Sequence, residues 1–94
     1  MRVAVLTIHF RLIGCTSLKE KRSRIKPLQE RLHRQFNVTV AEVDYQDKHQ
    51  DALIAIGLIN NDVAFIQSYL SGVMDWIKKY FADLTIQEHS IEII

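Results

Sequence analysis

The sequence has one cysteine, one proline and three glycines among 94 residues. A lone cysteine, Cys15, excludes an intramolecular disulfide framework and a thiolate metal cluster, and it is typical of a reducing compartment. So little glycine and proline is not typical of a linker or a disordered chain. No apolar run approaches the ~20 residues of a membrane span, and the first residues alternate like a strand, unlike a signal peptide. We expect one cytoplasmic domain over residues 1–94.

The charges are unevenly distributed along the chain. Twelve Lys and Arg stand against eleven Asp and Glu, which gives a net charge of +1. Residues 16–36 contain seven of these cations and only two acids, so this segment carries +5 and the remainder −4. This polarisation predicts a basic face on the folded domain.

The first third of the sequence predicts a strand followed by a helix. Residues 3–12 alternate between apolar and polar side chains, as in a half-buried strand. Ser17 and Glu20 can form a capping box at the start of the helix. Its apolar stripe is Leu18, Ile25, Leu28, Leu32 and Phe36. Pro27 lies opposite this stripe, so it should kink the helix rather than divide it; a break near Lys26 is the alternative.

The rest of the chain predicts three strands and a second helix. A strand at 38–45 carries a slip in its apolar phase that indicates a bulge near Ala41 and Glu42. A polar hairpin leads to a strand at 52–59, which is apolar on both sides and should therefore be covered on both faces. Asn60, Asn61 and Asp62 precede a helix that extends to about Phe81, and residues 84–94 form the last strand. The order βαββαβ predicts a ferredoxin-like α+β sandwich, with sheet order 4-1-3-2 and both helices on one face.

Two stretches, "SLKEKR" at 17–22 and "FNVTVAEVD" at 36–44, are the most specific part of a resemblance that covers nearly the whole chain. The sequence resembles the small bacterial YlxP-like family, a domain of unknown function. The resemblance implies a ferredoxin-like fold and a cytoplasmic bacterial protein. It also implies a connection with ribosomes or RNA, because genes of this family often neighbour those of transcription and translation factors. It assigns no activity, and no role to the hairpin at 45–51.

The stretch "SLKEKRSRIK" puts five cations at the start of the first helix, where the helix dipole is positive. Each such charge costs roughly 0.3–1 kcal/mol near the first turn. On a helical wheel Lys19, Arg22, Lys26 and His33 lie within about 60° of one another, and we call these four residues the basic strip. Arg24 and Arg31 lie on the other side of the apolar stripe. Lys21 points into the stripe and should extend its ammonium group past the helix end to reach water.

The cations of this helix could bind phosphate, alone or in an RNA backbone. The candidate contacts are Lys19, Lys21, Arg22, Arg24 and Lys26. The alternatives are a solvated helix face, or a salt-bridged contact with a partner protein. No GxxxxGK motif is present, so a P-loop is excluded.

Other candidate sites carry weaker signals. The open sheet face has Thr7, His9 and Arg11, and the central strands place no aromatic residue on it because Phe10 is on the core side. This disfavours base stacking on the sheet and favours a homodimer through this face. The acids and histidine of "EVDYQDKHQD" lie around a turn, which does not fix three metal ligands. Cys15 lacks a nucleophile signature. The aromatic residues Phe65, Tyr69 and Trp76 should pack mostly against the first helix.

These observations favour a non-enzymatic accessory module without cofactors, associated with RNA or ribosomal particles through its first helix. The rival hypothesis is a homodimeric regulatory module that binds a small anionic ligand at its interface. An acylphosphatase-like enzyme shares the topology but needs a glycine-rich loop before the first helix, where "RLIGCTS" offers a single glycine.

Overall fold

Four antiparallel strands and two helices alternate in the order βαββαβ. The computed structural model describes all 94 residues. The elements are β1 (Arg2–Arg11), α1 (Leu18–Gln35), β2 (Thr39–Asp44), β3 (Asp51–Asn60), α2 (Val63–Tyr80) and β4 (Thr85–Ile93).

The sheet has the strand order β2-β3-β1-β4, with the two longest strands in the centre. β1 and β3 pair along their full length, from Arg2 opposite Asn60 to Arg11 opposite Asp51. This is the predicted order read from the other edge, and the ferredoxin-like α+β fold is confirmed. The edges are β2, which is short, and β4.

One face of the sheet holds the hydrophobic core, because successive side chains of a strand point to opposite faces. The even-numbered residues of the central strands are buried: Ala4, Leu6, Ile8, Phe10, Ala52, Ile54, Ile56 and Leu58. The helix stripes that pack on them include Leu28 and Leu32 of α1, and Leu70 and Ile77 of α2. Each fully buried side chain of this size contributes about 1.5–3 kcal/mol. The odd-numbered residues of β1 and β3 form the other face, which we call the open face.

The N-terminus of α1 is capped by side chains on both sides of its first turn. Ser17 Oγ accepts a hydrogen bond of 3.0 Å from the backbone N–H of Glu20, as predicted. The Glu20 carboxylate reaches one residue further back than a capping box requires, and accepts from the N–H and the hydroxyl of Thr16. These bonds lower the pKa of Glu20. The helix then continues through Pro27, which is exposed, so the alternative break near Lys26 is wrong.

The bulge in β2 lies further along the strand than the sequence indicated. The pairing with β3 shifts between Glu42 and Asp44, so the extra residue is Val43, which is exposed. The bulge predicted near Ala41 and Glu42 is therefore present but directly follows Glu42, which stays in regular register opposite Ile54, on the core side of the sheet.

The second helix begins and ends as predicted. Asp62 is the N-cap, with its carboxylate accepting from the N–H of Phe65, and the N–H of Phe81 closes the last turn on Ile77. Tyr69 and Trp76 pack beside the core against Phe36, whereas Phe65 is exposed. Neither helix of the protein is long and apolar enough to cross a membrane.

Candidate nucleic-acid interface

The most unusual polar group in the protein is the buried ammonium of Lys21. This side chain is 2% exposed and is the one charged residue within the core. Its Nζ donates to three backbone carbonyls, those of Tyr45 at 2.6 Å, Lys48 at 2.9 Å and Asp51 at 2.7 Å. Since an ammonium group has three hydrogens, these bonds satisfy it completely.

The charge of Lys21 is balanced by Glu42 of β2. Glu42 Oε2 lies 2.8 Å from Lys21 Nζ and is otherwise buried without a hydrogen bond. The three hydrogens of the ammonium are already used, so this contact is an ion pair rather than a fourth hydrogen bond. A buried cation requires such compensation, because desolvation of an unpaired charge costs several kcal/mol. The position of the β2 bulge follows from this contact, since Glu42 must stay on the core side.

The three carbonyls that bind Lys21 organise the hairpin between β2 and β3. Tyr45 has a φ of 63°, in the left-handed region that costs a non-glycine residue about 1–2 kcal/mol. Its carbonyl makes the shortest bond to Lys21, and the N–H of Lys48 closes a turn on the same carbonyl. The ammonium therefore stabilises a strained turn, and the hairpin has one defined shape.

Lys21 is accordingly not a phosphate contact, and the prediction that its ammonium reaches water at the helix end was wrong. The prediction failed because the wheel places Lys21 in the core stripe but does not show the carbonyls that the hairpin supplies. Arg24 is also engaged within the protein. Its guanidinium donates to the carbonyls of Ile13 and Asp83, and lies 3.6 Å from the Asp83 carboxylate.

The basic strip remains accessible on the surface of α1. All four of its residues are exposed: Lys19, Arg22, Lys26 and His33. The one ion pair of the strip within 4.0 Å joins Lys26 Nζ to an oxygen of Glu30, in a solvent-exposed pair. Such a pair contributes about 0.3–0.5 kcal/mol, so it neutralises Lys26 only weakly. Three full positive charges thus stand on one strip without a strong partner.

A groove of about 290 Å³ runs between this strip and the edge strand β2. Its lining residues are Lys21, Arg22, Ile25, Lys26, Gln29 and Glu42. Lys21 and Glu42 neutralise one another at its floor, so the free charge along the groove is the positive charge of Arg22 and Lys26.

On the other side of α1, Arg31 belongs to the aromatic cluster of the helical layer. Its guanidinium lies 5.1–5.4 Å from the ring centroids of Trp76, Tyr80 and Phe81. The two sides of the helix therefore differ in function. Arg24 and Arg31 join α1 to α2 and the following loop, whereas the basic strip faces outward.

At one end of the open face, three charged or titratable side chains form a connected group. His9 Nε2 lies 2.8 Å from Asp51 Oδ1, and Arg11 Nη1 donates to both oxygens of the same carboxylate. The hydrogen bond from His9, followed by the charge of Arg11, holds the pKa of Asp51 below its usual 3.8. An ionised Asp51 accepts from Nε2, which leaves Nδ1 of a neutral His9 without a proton.

The hairpin adds an aromatic ring to this end of the open face. The ring of Tyr45 lies 5.1 Å from that of His9, at an interplanar angle of 41°. The expectation that the open face lacks an aromatic residue holds for the central strands but not for the folded face. The sequence placed Tyr45 at the end of the predicted strand at 38–45 and gave it no role, because the bulge at Val43 and the left-handed backbone of Tyr45 change the direction of its ring. The position of Lys21 in the apolar stripe of the helix was the one indication in the sequence that another segment, the hairpin, must supply oxygen atoms for it.

Beyond this group, the residues that the central strands β1 and β3 place on the open face are apolar, and we call them the apolar half; Glu92 of the edge strand β4 borders them opposite Val5. It consists of Val3, Val5, Ala55, Gly57 and Ile59. Ile59 is 63% exposed. A Cβ at Gly57 would lie 2.8 Å from Thr39 Cγ2, so the glycine allows the neighbouring strand's threonine to lie against this surface. We predicted that β3 is covered on both faces. The helices cover one face, and no other element of this chain covers the open face.

The cysteine nucleophile and the metal site, which the sequence disfavoured, involve residues that do not form a site. Cys15 is buried, and its thiol donates to the carbonyl of Ser17. No group of three or more His, Cys, Asp or Glu side chains is arranged to hold a metal ion.

The fold and the surface together define a small ferredoxin-like α+β domain with a basic helix on one side of its sheet. The chain belongs to the family described as protein of unknown function (DUF503), whose model matches residues 3–91. It is similar to a protein of Bacillus subtilis (strain 168) named Uncharacterized protein YlxP. The two are 31% identical over 64 residues, which cover 68% of this chain and 70% of that protein. The resemblance to a YlxP-like family is confirmed.

Replacing Lys21 by Met should destabilise the protein by about 3–5 kcal/mol, because it leaves Glu42 buried and uncompensated and removes the donor of three carbonyls. Urea unfolding measures this change. Lys19→Met, two residues away and exposed, is the matched control and should change the unfolding free energy by less than about 0.5 kcal/mol. Equal effects of the two substitutions would show that the buried ammonium is not a structural tether.

The lowered pKa of Asp51 predicts a specific loss of stability in acid. A carboxyl with a folded-state pKa below its unfolded value stabilises the protein above the unfolded pKa, and the contribution is lost as pH falls through the folded pKa. Unfolding free energy should therefore fall less steeply below about pH 4 in Asp51→Asn than in the wild type. Asp47→Asn, in the same hairpin but exposed, should retain the wild-type slope. A wild-type slope in Asp51→Asn would contradict the assignment.

Proposed function

We propose that the protein is a cytoplasmic, non-enzymatic accessory module that binds the phosphate backbone of RNA, free or in ribosomal particles, through the basic strip. The observation that carries the proposal is the exposure of Lys19, Arg22 and Lys26 on one strip, with no carboxylate closer than 4.0 Å. Two of them border a groove along α1 whose own buried charges cancel. Contacts of this kind position a protein on RNA without reading its sequence.

The helix dipole supports the same proposal. Cations near the N-terminus of α1 are unfavourable by about 0.3–1 kcal/mol each. Lys21 is explained by its four oxygen partners and Arg24 by its contacts with the loop before β4. Lys19 and Arg22 have no such explanation within the protein. An external anion would explain why they stand at this end of the helix, since local rules are most often broken at functional sites.

The test is the variant Lys19→Gln/Arg22→Gln/Lys26→Gln, which leaves Lys21 in place so that the hairpin keeps its tether. We expect weaker binding to unrelated RNA sequences alike, and a dependence of log K on log salt that is flatter by about 0.7–0.9 per lost contact. Stability should be unchanged or higher by up to about 1 kcal/mol, because charges leave the positive end of the dipole.

The matched control removes the same charge elsewhere, from the exposed residues Arg2, Lys78 and Lys79, each changed to Gln. If both triple variants lose RNA affinity equally, binding follows net charge and not the strip. If the strip variant binds as the wild type does, the proposal is wrong.

We further propose that the protein is a homodimer joined through the apolar half. The residues of this surface on β1 and β3 are apolar, as in covered strands. The carboxylate of Glu92 on the edge strand β4 borders it opposite Val5, so the proposed contact is centred on β1 and β3. The rival regulatory module would hold a small anion at such an interface. The concave part of the open face disfavours that ligand because the Glu88 carboxylate lines it.

Light scattering tests the dimer. The wild type should have twice the mass of one chain, and Ile59→Glu should be monomeric, because a carboxylate would be buried within the contact. Ile13→Glu is the matched control, since Ile13 is 70% exposed in the loop before α1 and should leave the dimer intact. A wild-type protein that is monomeric at every concentration measured would exclude the dimer.

A further inference from the structure

A hollow of about 110 Å³ lies in the open face beside the Tyr45 and His9 rings. We call it the sheet hollow, and its principal lining residues are Thr7, His9, Tyr45, Leu53, Glu88 and Ser90. It is on the opposite face of the sheet from α1. It borders the apolar half at Thr7, which pairs with Ala55, and otherwise lies toward the opposite end of the central strands.

The walls of the sheet hollow include two rings set at an angle. Tyr45 and His9 are 5.1 Å apart and tilted by 41°, and Leu53 lies opposite His9 in the pairing of β1 with β3. An aromatic ring held in one position is a surface on which a planar base stacks. The hydrogen bond from Lys21 to its carbonyl fixes the backbone of Tyr45, and the ring itself packs against His9.

The polar groups that line the sheet hollow include the Glu88 carboxylate, the imidazoles of His9 and His89, and the hydroxyls of Thr7 and Ser90. The Glu88 carboxylate comes from β4, opposite His9, and is exposed without an ion-pair partner. Nδ1 of His9 accepts in the neutral ring whose Nε2 proton points to Asp51, and donates when both ring nitrogens carry protons. Thr7 and Ser90, which face one another across β1 and β4, add hydroxyl groups that either donate or accept. A ligand that donates hydrogen bonds fits this lining best.

The charges around the sheet hollow separate a base from its phosphate. The carboxylates of Glu88 and Asp51 repel an anion from the hollow itself. Cations lie next to them, with Arg11 paired to Asp51 and Lys48 Nζ 5.9 Å from the centroid of the Tyr45 ring. A nucleotide with its base inside and its phosphate toward Lys48 satisfies both sets of charges.

We infer that the sheet hollow binds one unpaired nucleobase that carries an exocyclic amino group, such as cytosine or adenine, stacked on Tyr45 and donating to Glu88. Carboxylates accept hydrogen bonds from the amino group of cytosine in nucleic-acid complexes generally. Uracil presents a carbonyl oxygen at the same position, which faces the Glu88 carboxylate unfavourably.

The inference rests on the proposed RNA function for the nature of the ligand, and the fold connects the two surfaces. Lys21 lies in the first turns of α1, between Lys19 and Arg22 of the basic strip, and its ammonium bonds the carbonyl of Tyr45 at 2.6 Å. A single strand of RNA that leaves the strip therefore reaches the sheet hollow by passing one hairpin. The strip would supply backbone affinity and the hollow a preference among bases.

The decisive experiment uses nucleosides, which have no phosphate and so report on the hollow alone. Cytidine and uridine form a matched pair that differs in the amino or carbonyl group at one ring position. In an NMR titration we expect cytidine to shift the amide signals of Thr7, His9, Leu53 and Ser90, with an affinity about fivefold higher than that of uridine. Adenosine should shift the same signals.

Two substitutions of Tyr45 separate stacking from folding. Tyr45→Phe keeps the ring and should bind cytidine as the wild type does, whereas Tyr45→Ala should bind about tenfold more weakly or worse. Tyr80→Ala removes an exposed ring on the helical face and is the control. If Tyr45→Ala does not fold, Glu88→Gln on the exposed edge strand gives the answer, because it should abolish the preference for cytidine over uridine while leaving stacking intact.

The outcomes for the two surfaces are distinguishable. Loss of RNA binding in the strip variant together with unchanged cytidine shifts supports both proposals. Cytidine shifts with no effect of the strip variant reject the strip and retain the hollow. Equal shifts with cytidine and uridine, or none in the hollow, overturn this inference whatever the strip does. In the monomeric variant Ile59→Glu, signals of the hollow that still change with protein concentration alone would identify a second copy as its occupant, and would also overturn the inference.

Discussion

The buried ammonium of Lys21 fixes the arrangement of the β2–β3 hairpin and of the edge strand β2 relative to the first helix. It joins the first helix to the β2–β3 hairpin through three carbonyls, and it requires the Glu42 carboxylate on the core side of the edge strand. The bulge after Glu42 and the left-handed conformation of Tyr45 are consistent with that requirement. A single cation thus joins the helix to the hairpin where apolar contacts are few. Its desolvation cost is offset because all of its hydrogens are bonded and its charge is paired.

The same tether connects two surfaces on opposite faces of the sheet. The basic strip lies along the helix that contains Lys21, and the sheet hollow lies beside the tyrosine whose carbonyl Lys21 binds. Their charges are different in kind. The strip is exposed and positive, whereas the hollow is lined by a carboxylate and by a histidine oriented toward Asp51. The strip suits a phosphate backbone, and the hollow suits an uncharged group that donates hydrogen bonds.

The cations of the first helix show how one sequence feature divides into several roles. Lys21 stabilises the hairpin, Arg24 holds the loop before β4, and Arg31 packs over aromatic rings. Only the residues on the outward side of the helix remain for an external partner. The high positive charge of this segment is therefore partly structural, and the number of its cations overstates the size of any binding surface.

The fold follows from the order of residues along the chain, because apolar residues at periods of 2 and 3.6 specify which face of each element is buried. The four strands, the caps at Ser17 and Asp62, and the continuity of α1 through Pro27 all follow from such local rules. The basic strip also follows from this order, since residues of one helix keep their angular positions. The contacts of the Lys21 ammonium and the position of the Tyr45 ring do not follow from such local rules. Both depend on carbonyls and rings that lie more than twenty residues away along the chain, and no periodicity records a contact between a helix and a turn.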